Sequence, residues 1–278
     1  MNLKEIYKER KPWVKKGQFG RLLIVAGSRD YTGSPIYNAV SALRAGVDLV
    51  FVVAPERLAT SFTGFLPEIL TISYPGEYLK PWWLSLILST IKSRQITALT
   101  MGGGLGREPE IYHTVREIVK EVEAPMVLDA EAVRALKDHW SLVEDKKVIL
   151  TPHSYEFQEL SGEEILPDVN DRREKVFKLA KKLNSTILLK GYVDVISDGE
   201  RVHCQEGGSL FMTKGGFGDV LAGICGALLA RGIPPYEAAI AGSFINKKTG
   251  EMLAEKYGEG MLASDMFQLI PEVIKKFS

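Results

Sequence analysis

Short, uninterrupted apolar runs recur along the chain, separated by stretches with helical spacing. Arg21-Leu22-Leu23-Ile24-Val25-Ala26 is the first and ends at Gly27-Ser28. Comparable runs lie at Leu49 to Val53, Ala98 to Met101, Met126 to Leu128, Val148 to Leu150 and Ile187 to Leu189. Runs that are apolar at every position, rather than at alternate ones, predict strands covered on both faces, as in a parallel sheet. Between them the period changes. In Asp171 to Leu183, Val176, Leu179, Ala180 and Leu183 share one face while Lys and Arg residues take the other, which predicts a helix lying on the sheet. Asn170 is its expected N-cap, with Glu174 in the opening turns. Strand, glycine turn, helix, strand is the rhythm of a doubly wound α/β sheet.

The pattern changes again after residue 190. Val193 to Ile196 and Arg201 to Cys204 flank Asp198-Gly199, which predicts an antiparallel hairpin. Beyond it the chain reads as helical over Asp219 to Ala230, Tyr236 to Tyr257 and Ser264 to Lys276, with Pro234-Pro235 breaking the first from the second. Trp82-Trp83 reads as packing or as an exposed aromatic pair. No repeat, low-complexity tract or linker interrupts the pattern, so residues 1–278 are expected to form one domain.

Charge and composition narrow the classes. The chain has 35 Lys plus Arg against 35 Asp plus Glu, so bulk charge suggests no nucleic-acid partner. Met1-Asn2-Leu3-Lys4-Glu5 is too polar for a secretory core, and no apolar run is long enough to span a bilayer. The two cysteines, Cys204 and Cys225, make neither a metal-type spacing nor a disulfide framework. A soluble, cytoplasmic protein with no membrane partner is expected.

In sheets of this kind ligands bind beyond the carboxyl ends of the strands. Five polar or glycine-rich segments follow predicted strands: Gly27-Ser28, Gly102 to Gly106, Asp129-Ala130, Thr151-Pro152-His153 and Lys190-Gly191. The most informative segment lies later. Thr213-Lys214-Gly215-Gly216-Phe217-Gly218-Asp219 runs directly into the apolar stretch Val220 to Ile224. Its glycines let the backbone turn tightly, and the first N–H groups of the helix, with its dipole, favour an anion. Asp219 then lies beside that anion, placed to take a proton from an attacking hydroxyl. The plain alternative is an Asp that only stabilises the helix end. No Walker motif is present, and no Gly-x-Gly-x-x-Gly follows the first strand.

These residues support a resemblance. A Gly-x-Gly-Asp turn opening an apolar helix near the C-terminus resembles the ribokinase-like enzymes. The remaining motifs resemble one branch, the ADP- or ATP-dependent NAD(P)H-hydrate dehydratases. They are Lys16 to Arg21, Ala26-Gly27-Ser28, Tyr31-Thr32-Gly33-Ser34, Gly102 to Gly106, Val127-Leu128-Asp129-Ala130, Leu150 to His153 with Glu156, Leu189-Lys190-Gly191 and Met212 to Gly223. The resemblance implies a ribokinase-like fold, a mostly parallel sheet flanked by helices with a small hairpin. It implies a lyase that phosphorylates the C6 hydroxyl of hydrated NADH or NADPH with ADP or ATP and Mg²⁺, then eliminates phosphate to regenerate the nucleotide. Asp219 would be the base, and Gly216, Phe217 and Gly218 the anion hole. Ser34, Gly104, Gly106, His153 and Asp219 would face the hydrated nicotinamide, with Ser34 also able to cap the helix after it. Lys190, Gly191 and Gly218 would face the nucleotide. Asp129 would bind hydrated Mg²⁺ or a substrate hydroxyl, or else cap the helix from Ala130. For His153 the alternative is a loop histidine bonded to backbone, and for Lys190 a surface charge. The family often forms homo-oligomers.

Four positions depart from the family pattern. Gly103 stands where Pro is usual, Ser34 where Ala is usual, and Phe217 where a small Ser or Thr is usual. A late His-Gly pair is replaced around Ile245-Asn246-Lys247. A ring at Phe217 would narrow the anion turn or stack on a ligand. Two rival readings follow: a small-molecule kinase on the same scaffold, and a nucleotide-binding protein without activity.

Overall fold

Strands and helices alternate along residues 3–278, which are the residues this computed structural model describes; Met1 and Asn2 of the polar N-terminal stretch lie outside them. The order is β1 (Arg21–Val25), α1 (Ser34–Arg44), β2 (Leu49–Pro55), α2 (Glu56–Phe65), β3 (Ile69–Tyr74), α3 (Leu84–Arg94), β4 (Ala98–Met101) and α4 (Pro109–Glu121). It continues with β5 (Met126–Leu128), α5 (Glu131–Ala135), β6 (Val148–Leu150), α6 (Ser154–Ser161), α7 (Val169–Leu183), β7 (Thr186–Leu189), β8 (Asp194–Ser197) and β9 (Val202–Gln205). Three helices close the chain: α8 (Phe217–Ala230), α9 (Pro235–Tyr257) and α10 (Met266–Phe277).

The strands form one sheet in the order β3-β2-β1-β4-β5-β6-β7-β8-β9. Every pairing from β3 to β7 is parallel, and β8 and β9 add antiparallel. Side chains alternate across it. Leu22, Ile24, Val127 and Ile149 meet α1, α2, α8, α9 and α10 on one face, whereas Leu23, Val25, Met101 and Leu150 meet α3 to α7 on the other. Both faces are dry, which is why the inner strands read as continuous apolar runs.

Strand order reverses between β1 and β4, leaving a crevice at their carboxyl ends. Val25, Met101, Leu128 and Leu150 stand in register across β1, β4, β5 and β6. The loops that follow therefore emerge side by side. Helix α8 crosses this region buried all round, and its N-terminus opens into the crevice. Its glycines allow the close approach: a Cβ on Gly223 would overlap Ser41 and the Asn38 carbonyl of α1, and one on Gly226 would overlap Thr100 of β4.

Two local expectations are corrected, and one strand was not foreseen. Helix α7 begins at Val169, and its cap is Asp168, whose carboxylate accepts the Asp171 N–H at 2.9 Å, so Asn170 lies inside the helix. Ser34 is the first residue of α1 and makes no cap bond; Gly33 holds the cap position. The edge strand β3 had no apolar run to announce it, because two of its residues are exposed. Trp83 stacks on Tyr74 at 5.5 Å while Trp82 is exposed, so the pair divides between the two readings.

Gly223→Ala should lose roughly 2 kcal/mol of stability through overpacking between α8 and α1. Urea unfolding measures it; an unchanged midpoint would mean that the two helices separate freely.

Candidate active site

The anion turn forms as its glycines require. Gly216 sits at the head of α8 with φ +97°, and a Cβ there would come within 2.9 Å of the Tyr37 ring and of Ala263. No side chain caps the helix. Val220 N–H bonds back to the Gly216 carbonyl, leaving the N–H groups of Phe217, Gly218 and Asp219 at the open helix end. The Phe217 ring does not stand in that opening: it is 3% exposed and packed in the core, forming part of a cavity wall. Gly215 and Gly218 leave the mouth free. Lys190 Nζ lies 3.4 Å from where a Cβ on Gly218 would be, so an ammonium group stands across the turn.

Asp219, in the first turn of α8, is half-buried. The Ser34 side chain lies beside its carboxylate at Gly103. Asn38, one helical turn after Ser34, donates from Nδ2 to the Asp219 carbonyl at 3.0 Å and to Oδ1 at 3.5 Å. On the remaining side Gly103 presses so close that any Cβ would overlap Oδ1. Burial, reinforced by the carboxylates of Asp129 and Glu131, pushes the Asp219 pKa up to about 7, against the opposing pull of Ser34 and Lys190. A carboxylate so raised is near the optimum for exchanging protons at neutral pH.

Lys190, at the end of β7, is held by Asp129 at the end of β5. Nζ donates to Asp129 Oδ1 at 2.7 Å, and the Thr151 hydroxyl donates to the same oxygen at 2.7 Å. Burial alone would draw the Lys190 pKa down, but Asp129, Glu156 and Asp219 outweigh it and raise it, so the group remains a cation. Asp129 therefore does not cap α5, whose N-cap is Ala130 with no side-chain bond. Both bonds fall on Oδ1, which leaves Oδ2 of Asp129 for a hydrated Mg²⁺ or a substrate hydroxyl. No group of three or more His, Cys, Asp or Glu among the described residues is arranged to hold a metal.

His153 is the cap of α6. Its Nδ1 accepts the Glu156 N–H at 3.2 Å, and its own N–H donates to Glu156 Oε2 at 2.9 Å. Burial lowers its pKa below the usual value, so at pH 7 the ring is neutral, with its proton on Nε2. The backbone-bonded reading of His153 is thus realised, yet the ring also lines the cavity with Lys190, Gly191 and Gly218. Gly104 (φ +68°) lies beside Ser34, and its N–H donates to Glu131 Oε2 at 3.2 Å. At Gly106 (φ +100°) a Cβ would press on Glu108 and Ile111.

The cavity has a volume of ≈ 470 Å³ and extends from Gly218 and Lys190 to Gly208, Met212 and Asn246. Its walls are joined by Lys247, 5% exposed, which donates to the carbonyls of Gly191, Tyr192 and Gly207 and pairs with Asp194 at 3.4 Å. Sequence reasoning missed Asn38 and the Asp194–Lys247 pair. The four-residue spacing from Ser34 to Asn38 was the only available hint of the first, and a lysine in the middle of an otherwise buried helix of the second.

Comparisons with known proteins agree in direction. The residue profile of the NAD(P)H-hydrate dehydratase family matches residues 22–272. The bifunctional NAD(P)H-hydrate repair enzyme Nnr of Pyrobaculum aerophilum is 39% identical over 95% of this chain and 52% of its own length. The chain thus spans about half the length of such relatives. The ADP-dependent (S)-NAD(P)H-hydrate dehydratase of Cenarchaeum symbiosum is 35% identical over 95% of this chain and 91% of its own. The crystal structure of the Bacillus subtilis ADP/ATP-dependent NAD(P)H-hydrate dehydratase, grown with ATP/Mg²⁺, superposes with a TM-score of 0.79 at 23% identity, covering 97% of this chain and 94% of that one. At that identity the likeness shows the fold, which is ribokinase-like.

The proton affinity of Asp219 has a consequence for stability. Its carboxyl titrates near 7 in the fold but near 3.8 when unfolded. The folded state therefore loses stability as pH rises from about 4 through about 7. Asp219→Asn should melt above the parent protein at pH 8, with the gap closing below pH 4. A gap independent of pH would place the carboxylate in an ordinary, solvated setting.

Proposed function

The chain belongs to the NAD(P)H-hydrate dehydratase family, and we propose that it removes water from hydrated NADH and NADPH at the expense of ADP or ATP. The observation that carries this reading is one carboxylate, Asp219, raised to about 7 beside an uncapped helix end that Lys190 faces. The unpaired Cys204 and Cys225 support a cytoplasmic setting, and among the described residues no helix is long and apolar enough to cross a membrane.

Hydroxide is a poor leaving group, so the C6 hydroxyl must first be esterified. Asp219 takes its proton as the oxygen attacks the terminal phosphoryl group of the nucleotide, whose bond to the bridging oxygen breaks to release AMP from ADP or ADP from ATP. Charge building on that group meets the N–H groups of Phe217, Gly218 and Asp219 and the Lys190 ammonium. Gly216 makes this possible by bending the chain into the helix without a side chain. Phosphate then leaves C6 with the electrons of the C–O bond while the ring nitrogen pushes and C5 gives up a proton, restoring the double bond. Gly104, Ser34 and His153 border the ring, and Gly191 with Gly218 borders the nucleotide. A Mg²⁺ brought by the nucleotide would be held by Asp129 through its free oxygen and would help to neutralise the phosphates, and the roles above belong to this chain's own groups.

Incubation with hydrated NADH, Mg²⁺ and ADP or ATP should restore NADH absorbance and release free phosphate. A stable phosphorylated product would instead favour the kinase reading, and silence with both nucleotides would remove the proposal. Because the base must be ionised, kcat/KM should rise with pH through about 7 and then level off. Asp219→Asn should lower kcat by roughly 10²–10⁴-fold while nucleotide affinity is retained. A variant that kept full kcat would take Asp219 out of the chemistry.

A further inference from the structure

Beneath the face opposite α8, a buried ionic cluster connects two of the loops just described. Glu131, at the start of α5, gives Oε2 to the Gly104 N–H at 3.2 Å. Glu156, in the first turn of α6, gives Oε2 to the His153 N–H at 2.9 Å. The other oxygens of both carboxylates face Arg134, and Glu156 Oε1 also meets His153 Nε2 at 3.3 Å. Arg134 Nη1 lies 3.6 Å from Glu131 Oε1 and 3.4 Å from Glu156 Oε1. Its Nε donates to Glu159 Oε2 at 2.7 Å, which fixes the plane of the guanidinium. The Arg134 side chain is 10% exposed and that of Glu156 3%. Arg107 also approaches Glu131, but at 3.9 Å from a side chain 70% exposed, so solvent weakens it.

We propose that Arg134 is a positioning residue that sets the separation of the Gly104 and His153 loops, and so the width of the slot for the hydrated nicotinamide ring. The physical argument is charge balance in a place of low dielectric. Two buried carboxylates that each hold a loop amide repel one another. One cation bridging both offsets that repulsion and keeps them close together. The loops then move as a unit, since each amide is anchored to a carboxylate anchored to Arg134. The nucleotide side has charge pairs of its own, Lys190 with Asp129 and Lys247 with Asp194, and meets the His153 loop through the Lys190 N–H on the Pro152 carbonyl and through Arg172, which joins Ser154 Oγ to the Lys190 carbonyl. Arg134 touches none of the charges on the nucleotide side, so a change there should be felt more by the hydrated substrate than by the nucleotide.

This inference rests on Gly104 and His153 facing the hydrated ring, and the test separates the two ideas. Arg134→Met should raise KM for hydrated NADH roughly tenfold or more, with a smaller fall in kcat and with ADP affinity by calorimetry within about twofold of the parent. Arg134→Lys, which keeps the charge but loses the fork, should give a smaller rise in the same direction and serves alone if the Met variant does not fold. Amide exchange at Gly104 and His153 should quicken in Arg134→Lys while that of Phe217 to Asp219 stays as it was. A folded variant with KM unchanged, or equal losses for both substrates, overturns the proposal. If the parent protein does not turn over hydrated NADH, the functional reading falls, and the exchange pattern still decides whether Arg134 ties the loops together.

Discussion

A helix end left without its own hydrogen-bond partners, with a carboxylate in its first turn, is the arrangement around which the rest of this molecule is organised. Free N–H groups at the head of α8 attract negative charge, and Asp219 supplies some of it already. A second anion brought to the same place is tolerated only if the carboxylate is neutral or if a cation stands close. The cation is present, and the carboxylate stands between its neutral and ionised forms near neutral pH. Burial raises Asp219 to about 7, and the Lys190 ammonium faces the turn from β7.

That balance depends on packing far from the turn. Helix α8 reaches the crevice because Gly223 and Gly226 let it lie directly on α1 and β4. The same closeness brings Ser34 and Asn38 of α1 to Asp219, and desolvates it against Gly103. Ser34 and Gly103 are two of the positions where the chain departs from its family's usual residues. Here they adjoin each other and the Asp219 carboxylate. The local chemistry of the base is thus set by contacts across elements rather than by its own turn.

Charge is distributed around the crevice in separate wired groups. Asp129 and Thr151 hold Lys190, Asp194 and Lys247 join the loops on one side, and Arg134 gathers Glu131, Glu156 and Glu159 on the other. Each charge in these groups has a counter-charge, which offsets the cost of keeping ions in so dry a setting. Lys247 stands where the family's late His-Gly pair is replaced, so this chain closes its cavity wall with an ammonium group.

The alternation of apolar runs and helical spacing was enough to show a doubly wound sheet, its hairpin and the loops at the carboxyl ends of the strands, because periodicity and turn chemistry are properties of neighbouring residues. The glycine turn before Asp219 was legible for the same reason. Its partners were not. Asn38 meets Asp219 from 181 positions away, and Lys190 takes its place across the turn only once β5 and β7 have been laid into one sheet. Where α7 begins, which carboxylate Lys190 chooses, and the proton affinity of Asp219 were decided in three dimensions. Burial and Coulomb attraction depend on distance through space, and a chain read residue by residue carries no record of that distance.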